Sequence, residues 1–493
     1  MADQLDVYSF PTRTPTGLLF GLSAVRLVTV AAAGIVLIVV MSNPTAGSVT
    51  AGLGLIGLLL GCASVKVGGR AVADWLPVWL THGWRMATRN NEFYATPDLD
   101  LGLPPEVLDL PGELFGIELH DLTVPSNATS SAGGSSGGYG VLVDTFRRRQ
   151  IAVAEVSAGD LLFCDPADQQ ARIVAWGRFL DHIAQSLPEL CRLQVVHVTG
   201  PSTAGPPPRP PDGRSGRQPE TVAASYAEVV DTAAAGSQEH RLLLACALDL
   251  QAARRDIRQA GGGTEGAARV LMDRAVTIEE ALRAAGLDVH GWLPAAAIAE
   301  VLRVAYDPVA TVSGTPAPDG AAVSAGPMGM VDGWSAVRHD SGWSTTMQVV
   351  RPPDRPMTGD FLQHLLVGVP ARRRMSILYV PTSLEVAERR AQTQQVSAES
   401  EQALRARWGF GTSVRQRRHQ EDAARREEEL VDGRTVFKVV WLITVTARTP
   451  ADLDVAVGQV EAAGRRCGLE LRRMVGTQRQ AHGFTLPLCR GAR

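Results

Sequence analysis

Two long apolar runs stand back to back near the start of the chain. Residues 18–25 lead through Arg26 into an uncharged run over 27–41. A second uncharged run covers 49–65, and only residues 42–48 separate the two. A helix needs about 20 apolar residues to cross hydrocarbon roughly 30 Å thick at ~1.5 Å per residue. The pattern therefore predicts a transmembrane helical hairpin over 18–67, preceded by a tail over 1–17. Gly52, Gly54, Gly57 and Gly61 recur along the second run, and small residues at such spacings let helix backbones approach in lipid. Arg26 sits at the start of the first span and is expected to reach water at the interface.

After residue 66 the pattern becomes that of a hydrophilic body. Residues 68–136 read as an interfacial segment and irregular linker. Trp75 and Trp79 stand one helical turn apart in it, a composition suited to the headgroup zone. Residues 96–136 carry Pro97, Pro104, Pro105 and Pro111 and end in a Ser/Gly run. Regular elements then follow. Strands are expected at 139–143, 151–156, 193–198, 242–250 and 287–290. Helices are expected at 166–186, 264–285 and 294–304, the first with Asp165 as N-cap and Pro166 in its first turn, and a short helix over 221–234 follows the proline-rich linker 200–218.

The order then repeats beyond a flexible linker over 308–330. Strands are expected at 343–350, 375–380, 436–446 and 469–474. Helices are expected at 358–367 and at 450–467, the latter capped by Thr449. A long charged helical insertion occupies 383–430. Both halves read β-α-β, an intervening segment, then β-α-β. The expected fold class is α+β: an N-terminal two-helix transmembrane hairpin followed by two tandem ferredoxin-like (βαββαβ-type) cytoplasmic domains, 137–307 and 331–493.

Charge sets the expected orientation. Arg13 and Arg26 flank the first run, Lys66, Arg70, Arg85 and Arg89 follow the second, and the connector has no positive charge. The positive-inside rule places both termini in the cytoplasm, giving a multi-pass protein of the inner membrane. The second apolar run argues against a cleaved signal peptide. The formal net charge of the 493 residues is -3, which gives no global basic field for nucleic acid. The six cysteines (Cys62, Cys164, Cys191, Cys246, Cys467 and Cys489) lack the short spacings of zinc or dithiol motifs, and a cytoplasmic body keeps them reduced.

The search for chemistry is mostly negative. Lys66 and Lys438 are the only lysines, and neither precedes Ser or Thr, so no P-loop of that form exists. Gly261-Gly262-Gly263 precedes a helix but lacks GxGxxG spacing, and reads as a connection rather than an anion cradle. Arg338-His339-Asp340-Ser341-Gly342 sets His, Asp and Ser in a row, whereas a triad needs side chains that meet in space. His339, His364 and His482 are scattered in sequence. No catalytic, cofactor-binding or metal site is assigned. Arg372-Arg373-Arg374 reads as an exposed cluster, and the charged region 385–430 as a solvated helical arm suited to docking a partner.

Several segments carry a family resemblance: the hairpin, Arg338 to Gly342 with its strand, Leu378-Tyr379-Val380-Pro381, Leu442 to Thr446, Gly476-Thr477-Gln478, and Phe484 to Leu488. Together they resemble an actinobacterial family of integral membrane proteins associated with conjugation and type IV-like secretion. The hairpin resembles the PrgI-type membrane component. The body is similar to the N-terminal, non-nucleotide-binding part of TraC-type conjugation ATPases. The opening Tyr8-Ser9-Phe10-Pro11-Thr12-Arg13 departs from the Tyr-Gly-Gly-Trp-Arg-like start of that family.

The resemblance implies a non-enzymatic membrane adaptor within a hetero-oligomer. Its partners would be a separate secretion ATPase subunit, other membrane subunits of the machine and the lipid bilayer, with DNA contact left open. An alternative is an EccE-like component of a type VII secretion complex, which also has two N-terminal helices and a cytoplasmic body. A membrane-tethered enzyme using His339, Asp340 or the glycine cluster is the weaker third reading.

Overall fold

A computed structural model describes residues 24–42, 44–95, 108–122, 138–159, 164–201, 238–309, 325–353, 357–382, 386 and 435–491. The expected short helix over 221–234 and nearly all of the charged region over 383–430 lie outside the described residues.

The hairpin consists of α1 (Ala24–Ser42) and α2 (Ala46–Ser64), both long and apolar enough to cross a membrane. Thr45 starts α2 with a capping box: its hydroxyl accepts from Ser48 N at 3.2 Å while Ser48 Oγ accepts from Thr45 N at 2.9 Å. A Cβ added at Gly52 would collide with Val40 of α1, so this glycine sets the closest approach of the two helices. Gly54, Gly57 and Gly61 have no such neighbour. The expectation that all four glycines serve helix packing is thus corrected to one.

A short ribbon, β1 (Lys66–Val67) with β2 (Arg70–Ala71), joins α2 to α3 (Val72–Ala87). Then come β3 (Glu92–Tyr94), β4 (Ile117–Leu122), β5 (Tyr139–Asp144), β6 (Arg149–Ser157), α4 (Pro166–Ser186), β7 (Leu190–Pro201) and β8 (Gln238–Asp249). They are followed by α5 (Arg254–Gln259), α6 (Gly263–Ala284), β9 (Asp288–Trp292) and α7 (Ala295–Tyr306). The second half runs β10 (Gly329–Asp332), β11 (Val337–His339), β12 (Gly342–Arg351), α8 (Gln363–Leu366), β13 (Arg373–Thr382), β14 (Val436–Ala447), α9 (Pro450–Arg466), β15 (Glu470–Arg473) and α10 (Gln478–Gly483).

Among the described residues, β3 to β15 form one 13-stranded sheet, ordered β3-β10-β11-β12-β14-β13-β7-β8-β6-β5-β4, with β15 on β12 and β9 on β6. Every pairing in it is antiparallel. The element order of 117–306 recurs in 329–483, with α5 as an extra turn of helix in the first half. Within each half the four strands around the helices pair in the same order, β9-β6-β8-β7 and β15-β12-β14-β13.

The halves do not carry separate sheets. β7 and β13 pair from Leu193↔Tyr379 to Thr199↔Arg373, so the sheet is continuous through the middle of the molecule. Two boundaries also shift. The supposedly irregular segment 96–136 contributes β4, and the linker 308–330 contains the start of β10 at Gly329.

Side chains alternate across this sheet, as the two-residue period of a strand requires. On one face, Ala152, Ala154, Leu244, Cys246 and Leu248 pack beneath α4 and α6, while Met347, Ile443 and Val445 pack beneath α9. On the other face a shared core gathers Ile151, Val153, Leu243 and Ala245 with α7 and with Leu486 and Leu488 from the end of the described chain. α9 starts as its sequence predicts, with Thr449 Oγ1 accepting from Asp452 N at 3.1 Å and Pro450 in the first turn. Asp165 stands at the N-cap of α4, but its side chain makes no cap bond.

Candidate membrane anchor and buried polar seam

α3 fastens the hairpin to the body. Arg26 of α1 does not simply reach water: its Nε donates to Asp74 Oδ2 of α3 at 2.9 Å, and its Nη2 lies 2.8 Å from the same oxygen. This corrects the expectation of a solvent-seeking guanidinium. The charge in the first turn of this apolar helix is thus held by a carboxylate supplied from α3. Further along α3, the rings of Trp75 and His82 pack on Trp334 in the β10–β11 turn, with centroids 6.1 and 5.1 Å away. Arg85 Nη1 lies 3.5 Å from Asp332 Oδ2, whose side chain is buried. The other oxygen of Asp332 accepts from Arg479 N at 2.9 Å, and Arg479 also donates to Asn90 O at 2.8 Å. Burial pushes the Asp332 carboxyl above its usual range despite these partners. Hairpin, elbow and second repeat are therefore joined by an unbroken chain of polar and aromatic contacts.

The residues singled out for chemistry fall in different places. His339 ends β11 and is fully buried. Its Nδ1 faces the Tyr306 carbonyl, which can only accept, so Nδ1 carries the proton. Nε2 accepts from Ser344 Oγ, 2.7 Å away, and Ser344 is 2.7 Å from Thr446 Oγ1. Burial lowers the imidazole to about 4, and nearby Arg374 adds to the shift. The ring is neutral and both its nitrogens are engaged.

Asp340 and Ser341 turn away from it. Asp340 sits in the turn at φ 23°, 2.8 Å from Arg303 Nη1, and accepts from Gly329 N. Ser341 donates to Asp307. The three neighbours thus serve three different contacts and form no triad.

His482 does not stay scattered from His339. Their ring centroids lie 5.2 Å apart, and that of His482 lies 5.1 Å from Tyr306, the two rings tilted by 42°. Arg374 Nη2 approaches His482 Nε2 at 3.4 Å, and its Nε donates to Thr485 Oγ1 at 3.1 Å. Thr485, Thr444 and Thr346 continue as a ladder of hydroxyls at 3.0 and 2.8 Å. This polar seam occupies the sheet face that carries Ile151, Val153 and Leu243 in the first half. Sequence reasoning missed it, although Thr444 and Thr446 alternate with Ile443 and Val445 in β14 and mark a buried polar face; in β12 the run Ser344-Thr345-Thr346 gives no such alternation. His364 lies apart in the short α8.

The arginine cluster is also corrected. Arg373 and Arg374 are buried, at 3% and 7% exposure. Arg373 donates to the carbonyls of Leu366, Val369 and Ala371, and burial brings both guanidinium groups down to about 10. At the glycine cluster, Gly261 N donates to Arg258 O and Gly262 N to Ile257 O. Those amides close the end of α5 rather than facing an anion. Among the described residues no group of three or more His, Cys, Asp or Glu side chains has the arrangement of a metal site. All six cysteines are free. An apolar cavity of about 280 Å³ lies between α4, α6 and the sheet, lined by Ile173, Trp176, Leu242, Leu287 and Tyr379.

One family profile matches, described as "Putative type VII ESX secretion system translocon, EccE", over residues 237–349. The match covers less than a quarter of the chain and runs from β8 through most of β12, across the junction of the two repeats. No curated protein matches the chain. The comparisons thus support the secretion-translocon alternative and lend nothing to the PrgI-like and TraC-like resemblance. With the two apolar helices they point to a membrane-associated component of a multi-subunit secretion complex.

Proposed function

We propose that this chain is an EccE-like, membrane-anchored structural component of a type VII secretion complex. The observation that carries the reading is the profile match over 237–349, because it falls on the folded body rather than on the compositionally simple hairpin. In this reading α1 and α2 cross the membrane with both ends cytoplasmic. Each half of the body is a ferredoxin-like unit, supported by the repeated order β9-β6-β8-β7 and β15-β12-β14-β13. The body acts by holding other membrane subunits and a separate motor ATPase, and it catalyses nothing. A catalytic role for His339 is disfavoured because the side chain is sealed and both its nitrogens are occupied.

Affinity capture of the tagged full chain from native membranes tests the proposal. Co-purification of further membrane subunits of a type VII machine is the expected result. Recovery of the chain alone, or with conjugation subunits, overturns it. Cysteine labelling from either side of intact cells tests the orientation: probes in the body are expected to react only after permeabilisation.

A further inference from the structure

The body-facing side of α3 is accounted for, and its other side is not. Trp75, Val78, His82 and Arg85 recur at helical spacing and are half-buried against the body. The exposed residues between Leu76 and Ala87 are Leu76, Pro77, Trp79, Leu80, Thr81, Gly83, Trp84, Met86 and Ala87. Thr81 is the one polar residue in that set, and its hydroxyl bonds back to Pro77 O at 2.8 Å. Leu80 and Trp84 are 65% and 72% exposed. A contiguous apolar helix face without a charge needs an occupant in a folded protein.

We infer that this face of α3 lies in the headgroup and acyl boundary of the inner leaflet and sets the body against the membrane. The inference rests on the hairpin of the proposed function spanning the bilayer. Three observations select lipid. First, the face is continuous with the anchor: Val72 N donates to Val65 O one residue past α2, Trp75 Nε1 donates to Val67 O, and Arg26 of α1 is ion-paired to Asp74. Second, tryptophan is the side chain best suited to that boundary, and Trp79 and Trp84 sit on the exposed side. Third, Lys66 at the start of the ribbon and Arg89 just beyond α3 are exposed cations placed to meet anionic headgroups. The opposite side of the same helix is tied to Trp334 and Asp332. The bilayer plane and the orientation of the sheet are therefore fixed to each other.

The test uses the full chain reconstituted in vesicles of phosphatidylcholine and phosphatidylglycerol, with and without phosphatidylcholine brominated at shallow acyl positions. No tryptophan lies in α1 or α2, so bromine quenching reports segments beyond the spans. Brominated lipid should remove the emission of Trp79 and Trp84, two of the nine tryptophans in the chain. The W79F/W84F variant, which keeps bulk and folding contacts, should lose that quenching. Quenching of the wild type that is unchanged in the variant, or absent in a chain that co-floats with the vesicles, overturns the inference alone. A chain that fails to insert overturns the membrane reading as well.

Discussion

His339 and its neighbours show what a buried polar seam demands of individual side chains. A neutral imidazole fits there only because burial holds its proton affinity below the ordinary 6.5, to about 4. His197 of β7, half-buried beside His240 of β8, is lowered to about 4 for the same first reason, with His240 adding to the shift. The unfolded chain takes up protons that these folded rings refuse, so their contribution to stability is complete above pH 6.5 and is lost as pH falls toward 4. Each ring should cost up to about 2 kcal/mol between pH 7 and pH 5. Thermal unfolding of the detergent-purified protein should therefore shift to lower temperature on acidification. His339→Gln should shrink that shift, and an unchanged shift would refute the assignment of a neutral, buried ring. Asp144 and Arg490 make the opposite arrangement, a charged pair almost wholly inaccessible. Arg490 Nη2 lies 2.7 Å from Asp144 Oδ2 although its N–H does not point squarely at the oxygen. Removing one partner strands the other charge. Arg490→Ala should cost about 3–5 kcal/mol, and the double variant D144N/R490M should recover much of it, as chemical denaturation would show.

At the scale of elements, legibility followed how much of the forming force was local. Strands over 151–156, 242–250 and 436–446 announced themselves because β6, β8 and β14 are central and apolar on their buried face. The helix over 450–467 is legible through its Thr449 cap, and both it and the helix over 264–285 bury one apolar face. The segment over 358–367 reads as a helix from its sequence and is helical only over Gln363–Leu366. Gly359 in its first turn packs against Ile173 and Gln169 of α4, and Gly368 and Pro370 close its end, so tertiary contact overrode a weak local preference. β4, β10 and β11 escape notice because they sit among proline, glycine and polar residues, β10 and β11 being short as well, and their pairing partners supply what their own sequence lacks. The polar seam is hidden for a similar reason: its members come from α7, β11, β12, β13, β14, α10 and the residues just after it. Where a residue's type is dictated by a neighbouring element, substitution should expose it. A Cβ at Gly140 of β5 would come within 2.6 Å of Ala295 N and 2.7 Å of Pro294 C, backbone atoms at the start of α7. Gly140→Ala should therefore destabilise by about 1–3 kcal/mol through overpacking. Gly54→Ala in α2, where nothing lies within 4 Å, should leave stability unchanged or slightly raised. Equal effects at the two sites in a thermal-shift comparison would contradict this reading of the packing.

The whole molecule is more tightly unified than tandem repeats need be. β7 and β13 carry the sheet across the junction, and the segment after α10 crosses back from the second repeat onto the first. Gln194 of β7 holds that crossing: its Nε2 donates to Ser376 Oγ of β13 at 2.8 Å and to the carbonyls of Phe484 and Leu486, and its Oε1 accepts from Cys489 N at 2.6 Å. Arg192 adds a bond to Cys489 O at 3.0 Å. Leu486 and Leu488 then complete the core over Ile151, Val153 and Leu243. Because both repeats contribute to one core on this face, neither can lose it without exposing apolar surface of the other, and cooperative unfolding follows. Calorimetry of the full chain in detergent should show a single transition for the body. Gln194→Leu removes the amide and leaves the buried Cys489 N–H without the acceptor it has now, a loss of about 1–3 kcal/mol, while the Phe484 and Leu486 carbonyls each lose one donor and keep Ser376 Oγ and Leu488 N. The variant should lower the one melting temperature and should weaken hydrogen-exchange protection in β6 and β14 together, although those strands belong to different repeats. Two resolved transitions, or protection lost in one repeat only, would show that the sheet is continuous in geometry without being so in energy.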